Sequence, residues 1–216
     1  ILFSGEAIPD RRVWIFATLA GVFGTLGLIF LYHAMTVGLM SIATPVSALL
    51  AAMLPVIVGI VREGLPDWMT IIGFGFALFA VWMISQGEGG VTDILAHLSD
   101  LKLPLLAGIG FGLYFVLMHE ATKTGATIWP MVASRSGGMT LITIYMLVTR
   151  SSWKVTDSTT WPTITLNGLL DISGNVFFIL AGQLGRLDVA AVLSSLFPGI
   201  TVLLAWIFLK ERLSRG

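Results

Sequence analysis

Apolar runs of membrane-spanning length follow one another along the chain, and charged residues, prolines and glycines occur mainly between them. A helix that crosses a bilayer needs about 20 mostly apolar residues, because the hydrocarbon core is about 30 Å thick. Seven stretches approach that length, although the fourth is short. We predict helices at 13–35, 42–61, 68–85, 103–118, 128–148, 161–183 and 189–209. The pattern therefore predicts an all-α, polytopic transmembrane helix bundle.

Two prolines fall well inside these predicted helices. Pro55 lies in the second and Pro198 in the seventh. Proline lacks the backbone N–H and its ring clashes with the preceding turn, so both positions predict helix kinks. A membrane bundle tolerates such kinks, because neighbouring helices satisfy the freed carbonyl groups.

Composition strengthens the membrane prediction. Charged residues make up 11% of the chain and hydrophobic residues 56%, whereas a soluble domain carries about 25% charged residues. A lipid bilayer is therefore the expected partner of much of the surface. The 12 basic residues balance the 12 acidic ones, which argues against a nucleic-acid partner. The chain has no cysteine, and its 3 histidines lack metal-binding spacing, so we predict no metal site and no cofactor.

The chain also contains an internal repeat. When it is shifted by 147 positions, residues 24–38 align with residues 171–185, and the similarity continues beyond them. The identical pairs are Gly27/Gly174, Phe30/Phe177, Ala34/Ala181, Gly38/Gly185, Ala43/Ala190 and Ser47/Ser194. Such internal symmetry is typical of transporters built from two repeats.

The offset predicts the size of the repeat unit. The third, fourth and fifth predicted helices find no counterpart inside the chain, so we infer a unit of five helices and expect the chain to carry helices three to nine of ten. Residues 1–86 would then end the first repeat, 87–102 connect the repeats, and 103–216 begin the second. Five is odd, so the second repeat would cross the membrane in the opposite direction. Lysine and arginine are spread almost evenly over the two sets of loops, so they predict no orientation.

Several segments resemble the EamA-type transporters of the drug/metabolite transporter superfamily, particularly a bacterial branch. AVLSSLFPGITVLLAWIFLKERLS at 191–214 is similar to the ninth helix of that family, although Lys210 stands where glycine is usual. Further segments also resemble the family: LLAGIGFGLYFVLM at 105–118, WPMVASRSG at 129–137, LLDISGNVFFILA at 169–181 and YHAMTVGLMSIATPVSALLAAMLPVIVG at 32–59.

The resemblance implies ten helices in two inverted repeats of five, in agreement with the offset. It implies transport of a small metabolite such as an amino acid, nucleoside, sugar or drug. It also implies cytoplasmic termini in the complete protein, which would place Arg11 and Arg12 on the cytoplasmic side of a bacterial inner membrane.

Three polar residues inside the predicted helices are the main candidates for function, because a charge inside the membrane is costly. Asp171 lies near the middle of the sixth helix, and Asn175 follows one turn later on the same face. This pair could bind a substrate ammonium group or take up a proton. Arg135 lies about 10 Å into the fifth helix and could bind a substrate carboxylate. The alternatives are that Asp171 and Arg135 only pair with each other to fix packing, or that Arg135 extends to the interface.

Further residues are candidates for lining a cavity: Tyr114, Phe115, Phe178 and Ser194. The GIGFG segment at 108–112 lies in a membrane helix with no preceding strand, so Gly108 and Gly112 indicate a close helix contact rather than a dinucleotide site.

The sequence thus predicts a secondary transporter that moves a small polar or amphiphilic metabolite by alternating access, with proton coupling as an open possibility. A lipid-modifying membrane enzyme is disfavoured, because the chain contains neither G-x-S-x-G nor H-E-x-x-H. A membrane protein with a purely structural role stays as a second alternative.

Overall fold

The computed structural model describes residues 6–37, 40–85, 101–150, 158–196 and Ile200. These residues form helices and no strand, as predicted. The α-helices are α1 (Arg11–Thr36), α2 (Met40–Glu63), α3 (Trp68–Ser85), α4 (Lys102–Thr122), α5 (Ile128–Thr149), α6 (Trp161–Leu184) and α7 (Leu187–Ser194), with a short 3₁₀ helix at Ser158–Thr160 before α6.

Five of these helices are long and apolar enough to cross a membrane. They are α1, α4, α5, α6 and the Val46–Glu63 part of α2, while α3 contains the shorter apolar stretch Trp68–Ala77. The predicted seventh helix begins as α7, which ends at Ser194 and is followed by a turn at Ser195 and Leu196; most of its remainder lies outside the described residues. Large apolar side chains such as Ile57, Phe76 and Leu170 are exposed on the outside of the bundle, as expected for surfaces that face lipid. The all-α membrane-bundle prediction is therefore confirmed.

The fourth helix is longer than predicted. It continues to Thr122, whereas the hydrophobic pattern ended it at Met118. His119 is buried, and Glu120 forms ion pairs with Arg62 and Lys123. Because Arg62 and Lys123 pair with the charge of Glu120, the helix can extend beyond its apolar run, and it reaches the length that a span requires.

All seven helices have one terminus at the same end of the bundle, which we call the charged end. It holds the starts of α1, α3, α5 and α7 and the ends of α2, α4 and α6. Contacts between the termini establish this arrangement: Arg62 with Glu120, Arg186 with Gly64, and Gln183 with Thr122. The carboxylate of Glu6 likewise accepts hydrogen bonds from the backbone N–H groups of residues 127–129, which begin α5. Successive helices therefore run in opposite directions.

Small residues allow the helices to approach closely. A Cβ atom on Gly108 would lie 2.5 Å from Leu50 Cβ and 2.9 Å from the carbonyl oxygen of Ser47, so α4 packs directly on α2 there. Gly112, one turn later, faces Leu54 in the same way. The predicted close contact at this glycine pair is confirmed.

We expect Gly108→Ala to lower the free energy of unfolding by about 1–3 kcal/mol, because the added methyl overpacks the contact between α2 and α4. Gly73→Ala on α3 is the matched control, since a Cβ atom there meets nothing within 4 Å. Unfolding by sodium dodecyl sulfate in mixed micelles measures both variants. Equal stability of the two variants would contradict the packing described here.

Of the two prolines at predicted kinks, the structure describes only one. Pro55 lies inside α2, and its side chain is fully buried among the helices. Pro198 lies outside the described residues.

Candidate functional site

A cavity of about 460 Å³ lies between α1, α4, α5 and α6. This volume falls within the range of about 300–1,000 Å³ found for small-molecule sites. Its polar wall brings together residues from three helices: Tyr114 of α4, Arg135 of α5, and Asp171 and Asn175 of α6. Most of the other side chains of the wall are apolar, among them Leu28, Ile29, Phe111, Phe115, Met139 and Ile142.

A continuous polar network joins the three helices. The hydroxyl group of Tyr114 donates a hydrogen bond of 2.6 Å to Asn175 Oδ1. The amide of Asn175 donates to the backbone carbonyl and the carboxylate of Asp171, at 2.8 Å and 3.3 Å. Asp171 in turn forms an ion pair with Arg135, with 2.5 Å between Oδ2 and Nη2. The spacing of Asp171 and Asn175, one turn apart on α6, is what places both in this network.

The ion pair is open to the cavity. The side chains of Arg135 and Asp171 are 42% and 53% exposed. The Nη2 atom of Arg135 is itself shielded from solvent, and its contact with Asp171 lacks the angle of a hydrogen bond, so it has no hydrogen-bond partner among the described residues. A guanidinium group carries five N–H donors. Arg135 therefore retains donors for an anionic group that enters the cavity.

Apolar side chains close the cavity toward the charged end. On α4, α5 and α6, a residue of the buried apolar core lies about one helical turn from a residue that lines the cavity. In each pair, the core residue is the one nearer the charged end. Met118 follows Tyr114 in this way, Met131 precedes Arg135, and Phe178 follows Asn175. At the opposite end the wall includes Tyr32, which is 60% exposed. The cavity is thus closed on one side by a packed layer and extends toward the other.

Beyond this apolar layer, a network of ion pairs links the helix termini at the charged end. The carboxylate of Asp188, at the start of α7, is 0% exposed and lies 2.9 Å from Arg186 Nη2. Arg186 also donates to the backbone carbonyl of Gly64, just after α2, at 2.7 Å. The hydrogen bond with Asp188 raises the pKa of Arg186 above its usual value, so the guanidinium group stays protonated at any physiological pH. A second set of ion pairs joins Glu120 to Arg62 and Lys123.

The structure brings together most of the residues that the sequence singled out. Asp171, Asn175, Arg135, Tyr114 and Phe115 all line the cavity. Two predicted lining residues do not. Phe178 is buried in the core, where its ring packs 4.5 Å from that of Phe115. It lies one turn beyond Asn175, and that turn already belongs to the closed layer.

Ser194 is the other residue outside this wall, and its predicted role in lining a cavity stays a prediction. It is half-buried at the end of α7, and α7 contributes nothing to the described wall of the cavity.

The wall formed by α1 was not predicted. It includes Gly21, Gly24, Thr25 and Tyr32. None of these residues carries a charge, so nothing in the hydrophobic pattern distinguished them. The available signal is the spacing of Ala20 and Gly24, two small residues four positions apart, which is typical of a close helix contact. Gly24 makes that contact, since a Cβ atom there would lie 3.0 Å from the ring of Tyr114.

Comparison with known protein families identifies the family of this chain. Residues 100–216 match the model of the EamA-like transporter family. No curated protein and no solved structure matches the chain. The matched region covers more than half of the chain and includes α4, α5 and α6, three of the four helices that enclose the cavity. The chain therefore belongs to the EamA-like transporter family, as an integral multi-pass membrane protein that transports and is not an enzyme.

Proposed function

We propose that this protein is a secondary active transporter that moves a small zwitterionic metabolite by alternating access. The observation that carries the proposal is the ion pair between Arg135 and Asp171 on the wall of a cavity closed at one end. Each partner can exchange the other for a group of opposite charge on a substrate: Asp171 for an ammonium group and Arg135 for a carboxylate. The apolar side chains around them would receive the rest of the molecule.

The directions of the helices support the two-repeat organisation. The sequence offset pairs α1 with α6 and α2 with α7. In the bundle α1 runs away from the charged end while α6 runs toward it, and α2 and α7 are opposed in the same way. Opposite directions of matched helices are what an inverted repeat requires. We propose that the repeats rock against each other around the cavity, so that it opens alternately on the two sides.

The resemblance to the family supports the placement in the membrane. It implies a bacterial inner membrane with Arg11 and Arg12 on the cytoplasmic side. The charged end would then be cytoplasmic, and the conformation described here would be closed toward the cytoplasm. Asp171 would also serve as the proton site if transport is coupled to protons, because it is the exposed carboxylate at the centre of the network.

Two measurements on the protein in proteoliposomes test the proposal. The first is the flux of radiolabelled zwitterionic metabolites, with protein-free vesicles as the control. Protein-dependent flux that saturates with concentration is the expected result. Absence of protein-dependent flux for every zwitterionic metabolite tested would overturn the proposed substrate class.

The second measurement tests alternating access and uses the absence of cysteine from the chain. Met139→Cys introduces a thiol on the cavity wall, and Ala190→Cys introduces one in the apolar layer that closes it. A membrane-impermeant maleimide is expected to label the first variant from the open side. It should label the second only when a transported substrate drives the charged end open. Labelling of both variants without substrate would contradict the closed layer.

A further inference from the structure

The hydroxyl group of Tyr114 begins a directed chain of hydrogen bonds that ends on Asp171. The side-chain nitrogen of Asn175 contacts two acceptors of Asp171, the backbone carbonyl at 2.8 Å and carboxylate Oδ1 at 3.3 Å. Because only an N–H group can donate to both acceptors, the oxygen of the amide faces the other way, toward Tyr114. Tyr114 therefore donates to Asn175 Oδ1, at 2.6 Å, and holds the amide in this orientation.

The carboxylate of Asp171 has a partner at each of its two oxygens. Asn175 donates to Oδ1, and Arg135 Nη2 lies 2.5 Å from Oδ2. An amide oxygen that lost the hydroxyl group of Tyr114 would turn toward another donor, since a half-buried acceptor without a partner is costly. That turn would carry the amide nitrogen away from Oδ1. The bond from Tyr114 thus keeps Asn175 in position on Asp171.

Packing fixes Tyr114 but not Asp171. A Cβ atom on Gly24 would lie 3.0 Å from Cδ2 of the tyrosine ring, so the ring lies directly against the backbone of α1. The ring of Phe115 meets it edge to face, with 5.5 Å between the centroids. Residues 161–174 of α6, by contrast, are all exposed in the described part of the bundle. The orientation of Asp171 therefore depends on its polar partners.

We propose that Tyr114 is a positioning residue that orients the carboxylate of Asp171 through the amide of Asn175. The inference rests on the proposed function, in which Asp171 receives the ammonium group of the substrate. The hydroxyl group acts across two hydrogen bonds and needs no contact with the substrate. Its removal should therefore have no effect once Asn175 can no longer relay it.

A double-mutant cycle tests this relay by chemical modification of Asp171. A water-soluble carbodiimide with glycine methyl ester converts accessible carboxyl groups to amides, and peptide mass spectrometry of the protein in micelles gives the rate at Asp171. Tyr114→Phe keeps the ring and should raise this rate about three- to tenfold, because Asn175 no longer holds Oδ1. Asn175→Leu should raise it at least as much. Addition of Tyr114→Phe to Asn175→Leu should change nothing further.

Tyr145→Phe is the matched control, since it removes the same hydroxyl group from α5 outside the described cavity wall and should leave the rate unchanged. If Tyr114→Phe fails to insert, Gly24→Ala displaces the ring and keeps the hydroxyl group. It should raise the rate at Asp171 in the wild-type background and not in the Asn175→Leu background. A wild-type rate in Tyr114→Phe, or a further rise in the double variant, would overturn the positioning role.

Transport separates this inference from the proposed function. In proteoliposomes, Tyr114→Phe is expected to raise the KM for radiolabelled L-leucine about three- to tenfold and to leave kcat unchanged, because the oriented carboxylate binds the ammonium group. An unchanged KM would overturn the role of Tyr114 in binding. If modification of Asp171 follows the expected pattern but the wild-type protein carries no zwitterion, the positioning of Asp171 stands and the proposed transport is wrong.

Discussion

Replacement of Asp171 by asparagine is expected to lower transport by about one to two orders of magnitude. A hydrogen bond to a charged partner contributes about 1.5–3 kcal/mol, and this substitution removes the charge that would receive the ammonium group. The asparagine side chain keeps the size of the original and an oxygen that Asn175 can still reach. The initial rate of uptake into proteoliposomes, normalised to the amount of inserted protein, measures the effect.

A double variant separates binding of substrate from helix packing, the two roles that the sequence left open for this pair. Asp171→Asn alone leaves Arg135 without its ion-pair partner, which accounts for any loss of stability. Asp171→Asn combined with Arg135→Gln removes both charges and should restore stability. If the pair binds substrate, transport stays low in the double variant. Recovery of transport together with stability would show that the pair only fixes the helices.

The largest effect on stability is expected from Arg186→Met at the charged end. This change leaves the carboxylate of Asp188 buried without its cation, and a buried charge that loses its partner typically costs about 3–5 kcal/mol. We expect a loss of about 3 kcal/mol, at the lower end of that range, because Arg186 itself is 30% exposed and water can follow it inward. The free energy of unfolding in mixed micelles measures the loss.

Lys123→Met is the matched control for this prediction. Lys123 also pairs with a carboxylate at the charged end, but its side chain is 47% exposed and Glu120 keeps its second partner, Arg62. Exposed ion pairs contribute at most about 1 kcal/mol. Similar losses in the two variants would mean that Asp188 is not the buried, dependent carboxylate described here.

The Arg186 bridge is also expected to control how readily the charged end opens during transport. The bridge joins α7 to the end of α2, and these helices belong to different proposed repeats. Opening of the charged end would have to separate them, so the strength of the bridge would set how readily the protein leaves the conformation described here. In the Arg186→Met variant, the maleimide should therefore reach the Ala190→Cys thiol without added substrate.

The positions of the helices could be predicted from hydropathy, because a segment that crosses hydrocarbon must be apolar along its length whatever its neighbours are. The end of α4 could not. His119 and Glu120 looked like the end of a span, but Arg62, distant in sequence, pairs with Glu120, and His119 is buried 3.9 Å from the carboxylate of Glu63. The same limit explains Phe178. Its spacing from Asn175 placed it on the correct face of α6, and only the packing of Met118 and Met131 shows that this turn lies in the closed layer.

The sequence by itself determined that this protein is a membrane-spanning helical bundle. It also singled out Asp171, Asn175 and Arg135 as polar residues inside apolar helices and therefore as the main candidates for function. Both conclusions depend on the cost of placing polar groups in hydrocarbon, which acts on each segment separately. Only the tertiary structure decided that these residues meet in one network, that α1 supplies uncharged Thr25 to the same wall, and that the cavity is closed toward the charged end. Contacts between helices distant in sequence decide these features, and such contacts leave no periodic mark on any single helix.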